Sequence, residues 1–176
     1  MRASKFKWSE NLIARALSRN VFEQKHLIIV PNCGWTGDEC DLLVVTRDLR
    51  IIDVEIKISR SDLKADARKN KWYHLWDWRV DKQFGGRRRP REWPRKVWKH
   101  YYALPEKIWT PDLADVISPK SGVLLMYERN DNIRMTVKRR AKPCRDAEKI
   151  AVEDAVNIAR LASLRMWDAY DKLRRK

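Results

Sequence analysis

Two runs of β-branched and aliphatic residues lie close together in the chain, and they restrict the fold more than any other feature. "CDLLVVT" (40–46) and "IIDVEIKIS" (51–59) are separated only by "RDLR". Val and Ile favour strands, and so short a connection joins two strands that are neighbours. The sequence therefore predicts a pair of adjacent strands. A chain of 176 residues is long enough to build one domain with a real core around them.

The charges in these runs recur at even spacing. Alternate residues of a strand face the same way, so Asp53, Glu55 and Lys57 share one face of the second strand. Asp41 lies in the first strand and could converge with Glu55 across the pair. Two carboxylates on rigid strands suit a hard cation such as Mg²⁺. A lysine beside them could orient or help deprotonate a water and offset charge that develops on a phosphate. The alternative is a solvated row of charges on an exposed face of the sheet.

Hydrophobic periodicity, capping residues and breakers predict the remaining elements. Helices are expected at 9–20, 61–76, 110–117 and 146–174, and strands at 26–31, 40–46, 51–59, 100–105, 122–129 and 133–140. Ser9 is expected to cap the first helix, and Ser61 the second. The last helix is expected to bury the stripe Ile150, Ala155, Ile158, Ala162, Trp167 and Tyr170. This order predicts an α/β domain over 1–176, with a mixed sheet flanked by helices and a long C-terminal helix.

The charge balance restricts the class of partner. The formal net charge is +15 and the pI is about 10, values typical of chains that bind phosphate backbones or anionic membranes. No apolar run is long enough to span a bilayer, and the last helix mixes acidic residues with its bases, which disfavours a membrane surface. We find no secretory signal. Three scattered cysteines argue against disulfides and zinc, and for a reducing compartment such as the cytoplasm.

A segment rich in arginine and tryptophan, at about 77–99, interrupts the predicted core elements. Its basic residues include Arg87, Arg88, Arg89, Arg91, Arg95, Lys96 and Lys99. We interpret them as a nucleic-acid-binding loop whose tip, at Gly85 and Gly86, moves until substrate arrives. Trp76, Trp78, Trp93 and Trp98 are interpreted as a small satellite core, and stacking on unpaired bases is the alternative. The C-terminal "DKLRRK" is a second basic patch, which could instead complement the helix dipole.

These residues resemble a known family. Asp41 followed by Glu55-Ile56-Lys57 resembles the motif of the PD-(D/E)xK nuclease superfamily. Cys40 stands where that motif often has proline, a position that varies among its members. Glu10 is in the place where members often add a glutamate from the first helix. The order "VEIKISRSDLKADARKNKW" then "HYYALPEKI" further resembles the MmcB-like DNA-repair proteins and related phage nucleases, through Ser59, Asp62, Lys71 and "YYALP".

The resemblance implies a restriction-endonuclease-like core and metal-dependent hydrolysis of phosphodiester bonds. It implies that Mg²⁺ or Mn²⁺ is bound by Asp41, Glu55 and the Ile56 carbonyl, with Glu10 as an accessory ligand. Lys57 would act on the water and the transition state, and Lys71 would contact nucleic acid. DNA is the expected substrate, in repair, recombination or phage DNA processing, and the expected location is the cytoplasm of a bacterial or phage-infected cell. Asp38, Glu39 and Asp53 lie nearby in sequence without an assigned role.

Two alternatives remain open at this point. A non-catalytic nucleic-acid-binding protein could use the same fold, and a basic structural or assembly protein would need no metal at all. If the protein is a nuclease, we expect Asp41 and Glu55 at a solvent-exposed site outside the core. Their replacement would then leave the fold intact. A homodimer is compatible with the sequence.

Overall fold

One six-stranded mixed sheet organises the molecule. The computed structural model describes residues 7–22, 26–75, 77, 79, 82–84 and 88–174. The strands are β1 (His26–Cys33), β2 (Cys40–Thr46), β3 (Ile51–Ile56), β4 (Lys99–Pro105), β5 (Gly122–Arg129) and β6 (Asn132–Arg139). They lie in sequential order across the sheet. The α/β class and the mixed sheet predicted from the sequence are confirmed.

The direction of pairing changes in the middle of the sheet. β1, β2 and β3 form an antiparallel meander, β3 pairs parallel to β4, β4 pairs parallel to β5, and β5 and β6 form an antiparallel hairpin. The parallel pairing of β3 and β4 requires a crossover between them. That crossover contains the second helix and the basic segment, which brings both to the same part of the molecule.

The first two helices differ from the sequence prediction in length. α1 (Glu10–Leu17) begins at the expected cap, because Ser9 Oγ accepts a hydrogen bond from the Leu12 amide. A π-helical turn at Ser18–Phe22 follows it. α2 (Arg60–Asp66) is much shorter than the predicted helix 61–76, and Ser59, not Ser61, caps it. After α2 the chain turns into a 3₁₀ helix at Asn70–Trp72, which directs two side chains inward.

The later helices are also shorter than predicted. α3 (Leu113–Val116) occupies half of the predicted helix 110–117, and α4 (Val152–Arg174) begins six residues after the predicted start at 146. Ile150 lies before α4 in a segment without regular secondary structure, and its amide donates to the Leu49 carbonyl. Within the described residues, no helix is both long enough and apolar enough to span a membrane.

Alternation along the strands divides the core between the two faces of the sheet. On one face, Ile13 and Leu17 of α1 pack against residues such as Val54 and Ile56. On the other face, α4 covers Leu43 and Val45 of β2 through Ala155 and Ile158. Beside that cluster on this second face, Leu63 of α2 and Trp72 pack with Tyr102 and Leu104 of β4. Asp53 and Glu55 alternate with the α1-facing residues of β3 and therefore point toward the second face.

Candidate active site

Asp41, Glu55 and Lys57 meet where β2 begins and β3 ends. Asp41 Oδ2 accepts a hydrogen bond of 2.7 Å from the Ile56 amide and lies 3.4 Å from Lys57 Nζ. Lys57 Nζ also lies 2.7 Å from Glu55 Oε2. The Lys57 amide donates to the Ala103 carbonyl of β4, which fixes its backbone one residue beyond the end of β3. The two carboxylates thus flank a single cationic position.

The site is more buried than the sequence suggests. The Asp41 side chain is 25 % exposed, but the Glu55 side chain is fully buried and that of Lys57 nearly so. Every residue of β3 is buried. α1 covers one face of this strand, and Lys71 of the 3₁₀ turn and Asp66 at the end of α2 enclose its charged residues on the other face. The expectation of a solvent-exposed pair is therefore wrong for Glu55, and a solvated charge row is excluded. Among Asp41, Glu55 and Lys57, only Asp41 keeps direct contact with solvent.

Lys71 belongs to this cluster and not to an exposed binding surface. Its Nζ lies 2.6 Å from Glu55 Oε1 and 3.6 Å from Asp53 Oδ2, and its side chain is almost fully buried. The prediction that Lys71 contacts nucleic acid is corrected by this geometry, because the ammonium group is enclosed by carboxylates. Both oxygens of Glu55 consequently contact an ammonium group, Lys57 on one side and Lys71 on the other.

Asp66, the last residue of α2, is a site carboxylate that the sequence analysis missed. It lies 3.2 Å from Lys57 Nζ, 2.7 Å from Lys69 Nζ and 3.8 Å from Lys71 Nζ. The Tyr102 hydroxyl donates to Asp66 Oδ2 at 2.9 Å. Asp66 therefore connects the end of α2 to all three lysines. The predicted helix 61–76 would instead have placed Asp66 in the interior of a longer helix.

β4 supplies a wall of aromatic rings beside the carboxylates. In the parallel register, Asp53 lies next to His100 and Glu55 next to Tyr102. His100 Nε2 is 3.8 Å from Asp53 Oδ2, and His100 Nδ1 shares a hydrogen bond of 2.8 Å with the Ser121 hydroxyl. Trp72 packs edge-on against His100, with ring centroids 4.8 Å apart. This wall excludes water from the inner side of the cluster.

Burial and neighbouring charges move the pKa values of these groups in opposite directions. Burial raises the pKa of Glu55 to about 7, against the opposing effect of Lys71. Burial also raises the pKa of Asp53. Burial opposes ionisation of Asp66 too, but Lys71, Lys57 and Lys69 together hold its pKa below the usual value. Burial lowers the pKa of His100, with Lys71 adding to the effect, so this imidazole is neutral at pH 7.

The lysines remain charged despite their burial. Burial alone would lower the pKa of Lys57, but Glu55 and Asp66 raise it above the ordinary value. The same balance raises the pKa of Lys71, through Asp53 and Glu55. Lys57 is therefore an ammonium at neutral pH. Such a group stabilises developing negative charge and is a poor acceptor of a proton from water.

Donor chemistry is the test of whether a divalent cation fits. Asp41 and Glu55 offer the hard oxygen donors that Mg²⁺ or Mn²⁺ prefers, and Asp41 is open to solvent. The point between the two carboxylates is held here by the ammonium group of Lys57. In the part of the chain that the structure describes, no three His, Cys, Asp or Glu side chains converge on a common metal position. The side chains present thus fit a cation held by two carboxylates, with further ligands from backbone or water.

The remaining acidic candidates lie apart from the cluster. Glu10 opens α1, which covers the opposite face of the sheet, and its side chain is exposed. Its role as an accessory ligand stays a prediction. Glu39 is exposed. The backbone carbonyl of Asp38 accepts a hydrogen bond from the Thr36 hydroxyl within the same loop. Of the three acidic residues that had no assigned role, Asp38, Glu39 and Asp53, only Asp53 joins the cluster, through Lys71.

The described part of the basic segment forms the last part of the crossover between β3 and β4. Arg88, Arg95 and Lys96 are exposed, and Arg88 donates to the Asn70 side chain at 2.7 Å. Lys99 lies over the ring of Trp98 at 4.2 Å. Arg89 and Arg91 are half-buried, because the Arg91 amide and the Arg89 carbonyl pair with residues 72 and 74. Arg87, Gly85, Gly86, Trp76 and Trp78 lie outside the described residues.

The two tryptophans of this segment that the structure describes, Trp93 and Trp98, pack against the protein. Trp98 contacts the core cluster beneath α1, and Trp93 Nε1 donates to the Lys142 carbonyl at 2.9 Å. A cavity of about 860 Å³ lies between residues 90–97 and 144–154. Its lining includes four acidic and four basic side chains, so it offers no concentrated positive charge to a phosphate. The exposed cations, and not this cavity, are the candidate nucleic-acid interface.

A signal for the missed residues exists in the sequence. His100 and Tyr102 alternate in "KHYYALP", so their shared face follows from strand periodicity alone. The parallel register that places them beside Asp53 and Glu55 does not follow from periodicity. Asp66 and Lys69 depend on where α2 ends, and helix boundaries are poorly determined by sequence.

Comparison with known proteins adds information about the fold alone. The sequence matches no protein-family model and is significantly similar to no curated protein. A solved structure of a protein of unknown function from Silicibacter pomeroyi is similar in fold. It has a TM-score of 0.55 and 16 % sequence identity, over 96 % of this chain and 92 % of that one. The similarity extends over nearly the whole of both chains, so the arrangement of sheet and helices described above occurs in another protein.

Proposed function

We propose that this protein is a Mg²⁺- or Mn²⁺-dependent nuclease with a restriction-endonuclease-like core. One observation carries the proposal: Asp41, Glu55 and Lys57 converge at the edge of β2 and β3, with one ammonium group contacting both carboxylates. The antiparallel meander followed by a parallel strand after a helical crossover supports that core. The net charge of +15 supports nucleic acid, with DNA as the expected substrate.

Each residue has a distinct task in this proposal. Asp41 and Glu55 would hold the divalent cation, together with the Ile56 carbonyl. When bound, the cation supplies Lewis-acid activation of water and of the phosphate. Lys57, kept protonated by its carboxylate neighbours, stabilises the negative charge that develops on the phosphate in the transition state. Asp66, 3.2 Å from Lys57 Nζ, would help to orient that ammonium group.

The exposed cations of the crossover would bind the substrate. Arg88, Arg95 and Lys96 present positive charge at the surface. Contacts of this kind hold phosphates and give affinity that falls steeply with salt. They position the strand and take no part in the chemistry.

A non-catalytic nucleic-acid-binding protein on the same fold is the second candidate. The saturation of Glu55 favours it, because both of its oxygens already contact ammonium groups and the side chain is fully buried. In that case the cluster would be a structural ion-pair network inside a binding module.

A cleavage assay separates the two candidates. We expect the protein to cleave labelled linear, nicked, branched or single-stranded DNA or RNA with Mn²⁺ or Mg²⁺, and to lose that activity with chelator. The Asp41→Asn variant should bind the same substrate with unchanged affinity in chelator and should not cleave it. Binding without cleavage of the whole substrate panel by the unaltered protein would favour the non-catalytic candidate.

A further inference from the structure

One face of α4 carries a continuous line of apolar or small residues exposed to solvent. These residues follow one another at alternating intervals of four and three along the helix: Val152, Val156, Ala159, Ser163, Met166, Tyr170 and Leu173. This is the heptad spacing of a coiled-coil seam. We refer to these seven residues as the α4 seam.

The seam is distinct from the face of α4 that packs on the sheet. That face uses Ala155 and Ile158, which are buried against β1 and β2, with Leu161 and Ala162 beside them. In contrast, Met166 is 46 % exposed, and Val152, Val156, Tyr170 and Leu173 are more exposed still. The expected burial of Trp167 and Tyr170 is therefore wrong. A line of apolar side chains this long indicates an interaction surface.

We propose that the α4 seam pairs with the α4 seam of a second copy of this chain, with the two helices antiparallel. When the two helices are antiparallel, the side chains of one seam match those of the other in size. Its first half carries small residues, and its second half carries large ones. With the two-fold axis between residues 164 and 165, Ala159 lies opposite Tyr170 of the second copy, and Ser163 opposite Met166. A parallel pair would instead place Tyr170 against Tyr170 and Ala159 against Ala159, leaving one layer crowded and another empty.

The charges beside the seam agree with the same register. The flanking positions on its exposed side are Glu153, Arg160, Trp167 and Arg174. In the antiparallel pair, Glu153 lies beside Arg174 of the second copy, and Arg160 lies beside Trp167. The first contact is an ion pair and the second a cation–π contact, and the two-fold axis repeats both. The ring of Trp167 packs against that of Tyr170 in the same helix, with centroids 5.9 Å apart, so Trp167 borders the seam.

The anchoring of α4 favours this arrangement further. Ala155 and Ile158 hold the first half of the helix on the sheet, and every residue from Ser163 to Arg174 is exposed. Antiparallel pairing lays the exposed half of one helix on the anchored half of the other. Each copy thereby covers the apolar side chains that its own core leaves in water. This inference is independent of the proposed nuclease activity.

Two substitutions with matched exposure test the seam. Met166 and Leu164 lie two residues apart on α4 and are each 46 % exposed, but only Met166 belongs to the seam. By sedimentation equilibrium, we expect Met166→Lys to raise the dimer dissociation constant by about tenfold or more, because each dimer would bury two unpaired charges. Leu164→Lys should change it by less than about twofold. Circular dichroism checks that both variants keep the fold.

Cysteine pairs test the direction of the helices. In a Cys144→Ser background, an oxidised mixture of the Ala159→Cys and Tyr170→Cys variants should form a mixed disulfide dimer. Each variant oxidised alone should not. Dimers formed by each variant alone would show a parallel pair and overturn the register. Exchanging charges gives a second check: Glu153→Arg or Arg174→Glu should weaken the dimer by about three- to tenfold, and the double variant should restore it.

The proposal fails on either of two results. A protein that stays monomeric up to roughly 0.5 mM would show that a different partner covers the seam. Equal effects of Met166→Lys and Leu164→Lys on the dissociation constant would place the dimer interface elsewhere on the molecule.

Discussion

Asp41 is the site carboxylate that can be changed with the least harm to the fold. It is partly exposed, and asparagine keeps an oxygen that can accept the Ile56 amide hydrogen. We expect Asp41→Asn to abolish cleavage and to change the free energy of unfolding by less than about 1 kcal/mol. Turnover at saturating substrate and urea denaturation measure the two effects. Cleavage that persists in the folded variant would exclude Asp41 from the mechanism.

Lys71 and Lys69 form a natural pair for testing burial. Lys71 is nearly fully buried and contacts Glu55 at 2.6 Å, whereas Lys69 is 52 % exposed and contacts Asp66 at 2.7 Å. We expect Lys71→Met to cost about 3 kcal/mol or more of folding free energy, because it leaves buried carboxylates without their counter-charge. Lys69→Met should cost less than about 1 kcal/mol. Urea denaturation at pH 7 measures both. Equal costs would contradict the central position given to Lys71.

The raised pKa of Glu55 predicts how the folding stability of the metal-free protein depends on pH. This pKa is about 7 in the folded state and 4.5 without the fold, so between these values the folded chain holds a proton that the unfolded chain has lost. The contribution of Glu55 to stability must therefore fall as pH rises through this window. Asp66, whose pKa is lowered, contributes above its unfolded value and loses that contribution only in more acidic solution.

The difference between the unaltered protein and Glu55→Gln isolates this effect, because His100 is common to both. We expect the stability of the unaltered protein relative to Glu55→Gln to decrease by about 1–3 kcal/mol between pH 5 and about pH 7.5. Denaturation in chelator at several pH values provides the curve. A difference that does not vary with pH would show that Glu55 titrates normally.

At the scale of the elements, the crossover between β3 and β4 joins the site to the basic surface. α2 ends at Asp66 inside the cluster, and the segment that follows exposes Arg88, Arg95 and Lys96 before β4 begins. Replacing these three by glutamine should weaken nucleic-acid binding. It should also flatten the dependence of log K on log salt by about 2 to 3, at 0.7–0.9 per lost phosphate contact. Turnover at saturating substrate should be nearly unchanged.

β6 provides the control for that experiment. Arg134 and Lys138 on this strand, with Arg140 just after it, are also exposed, so their replacement by glutamine removes the same net charge from a different surface. We expect the salt dependence to stay close to that of the unaltered protein. An equal flattening by both triple variants would mean that net charge alone, and not the crossover segment, governs binding.

At the scale of the whole molecule, most of the predictions that the structure confirms depend on the periodicity of the strands. Each of the six strands lies within two residues of its predicted start, and Asp41, Glu55 and Lys57 meet as alternation requires. Periodicity could not show that both faces of β3 are buried. It also could not show that α2 stops at Asp66, which turns Lys71 inward. Those outcomes depend on tertiary packing, which overrides local helix propensity in 67–76.

Metal binding should be visible in the stability of the whole molecule, because a ligand that binds only the folded state shifts the unfolding equilibrium. At a Mn²⁺ concentration about one hundred times its dissociation constant, the gain is about 2.7 kcal/mol. For a chain of this length, that gain corresponds to a rise in Tm of about 5–10 °C. Asp41→Asn should lose most of the rise, and Met166→Lys, altered far from the site, should keep it once Tm is compared at equal subunit concentration. Calorimetry with Mn²⁺ and with chelator measures the shift without any need for substrate. If the protein binds DNA but its Tm does not change with Mn²⁺ or Mg²⁺, the four carboxylates and three lysines of the site form an internal ion-pair network only. The non-catalytic function would then be preferred.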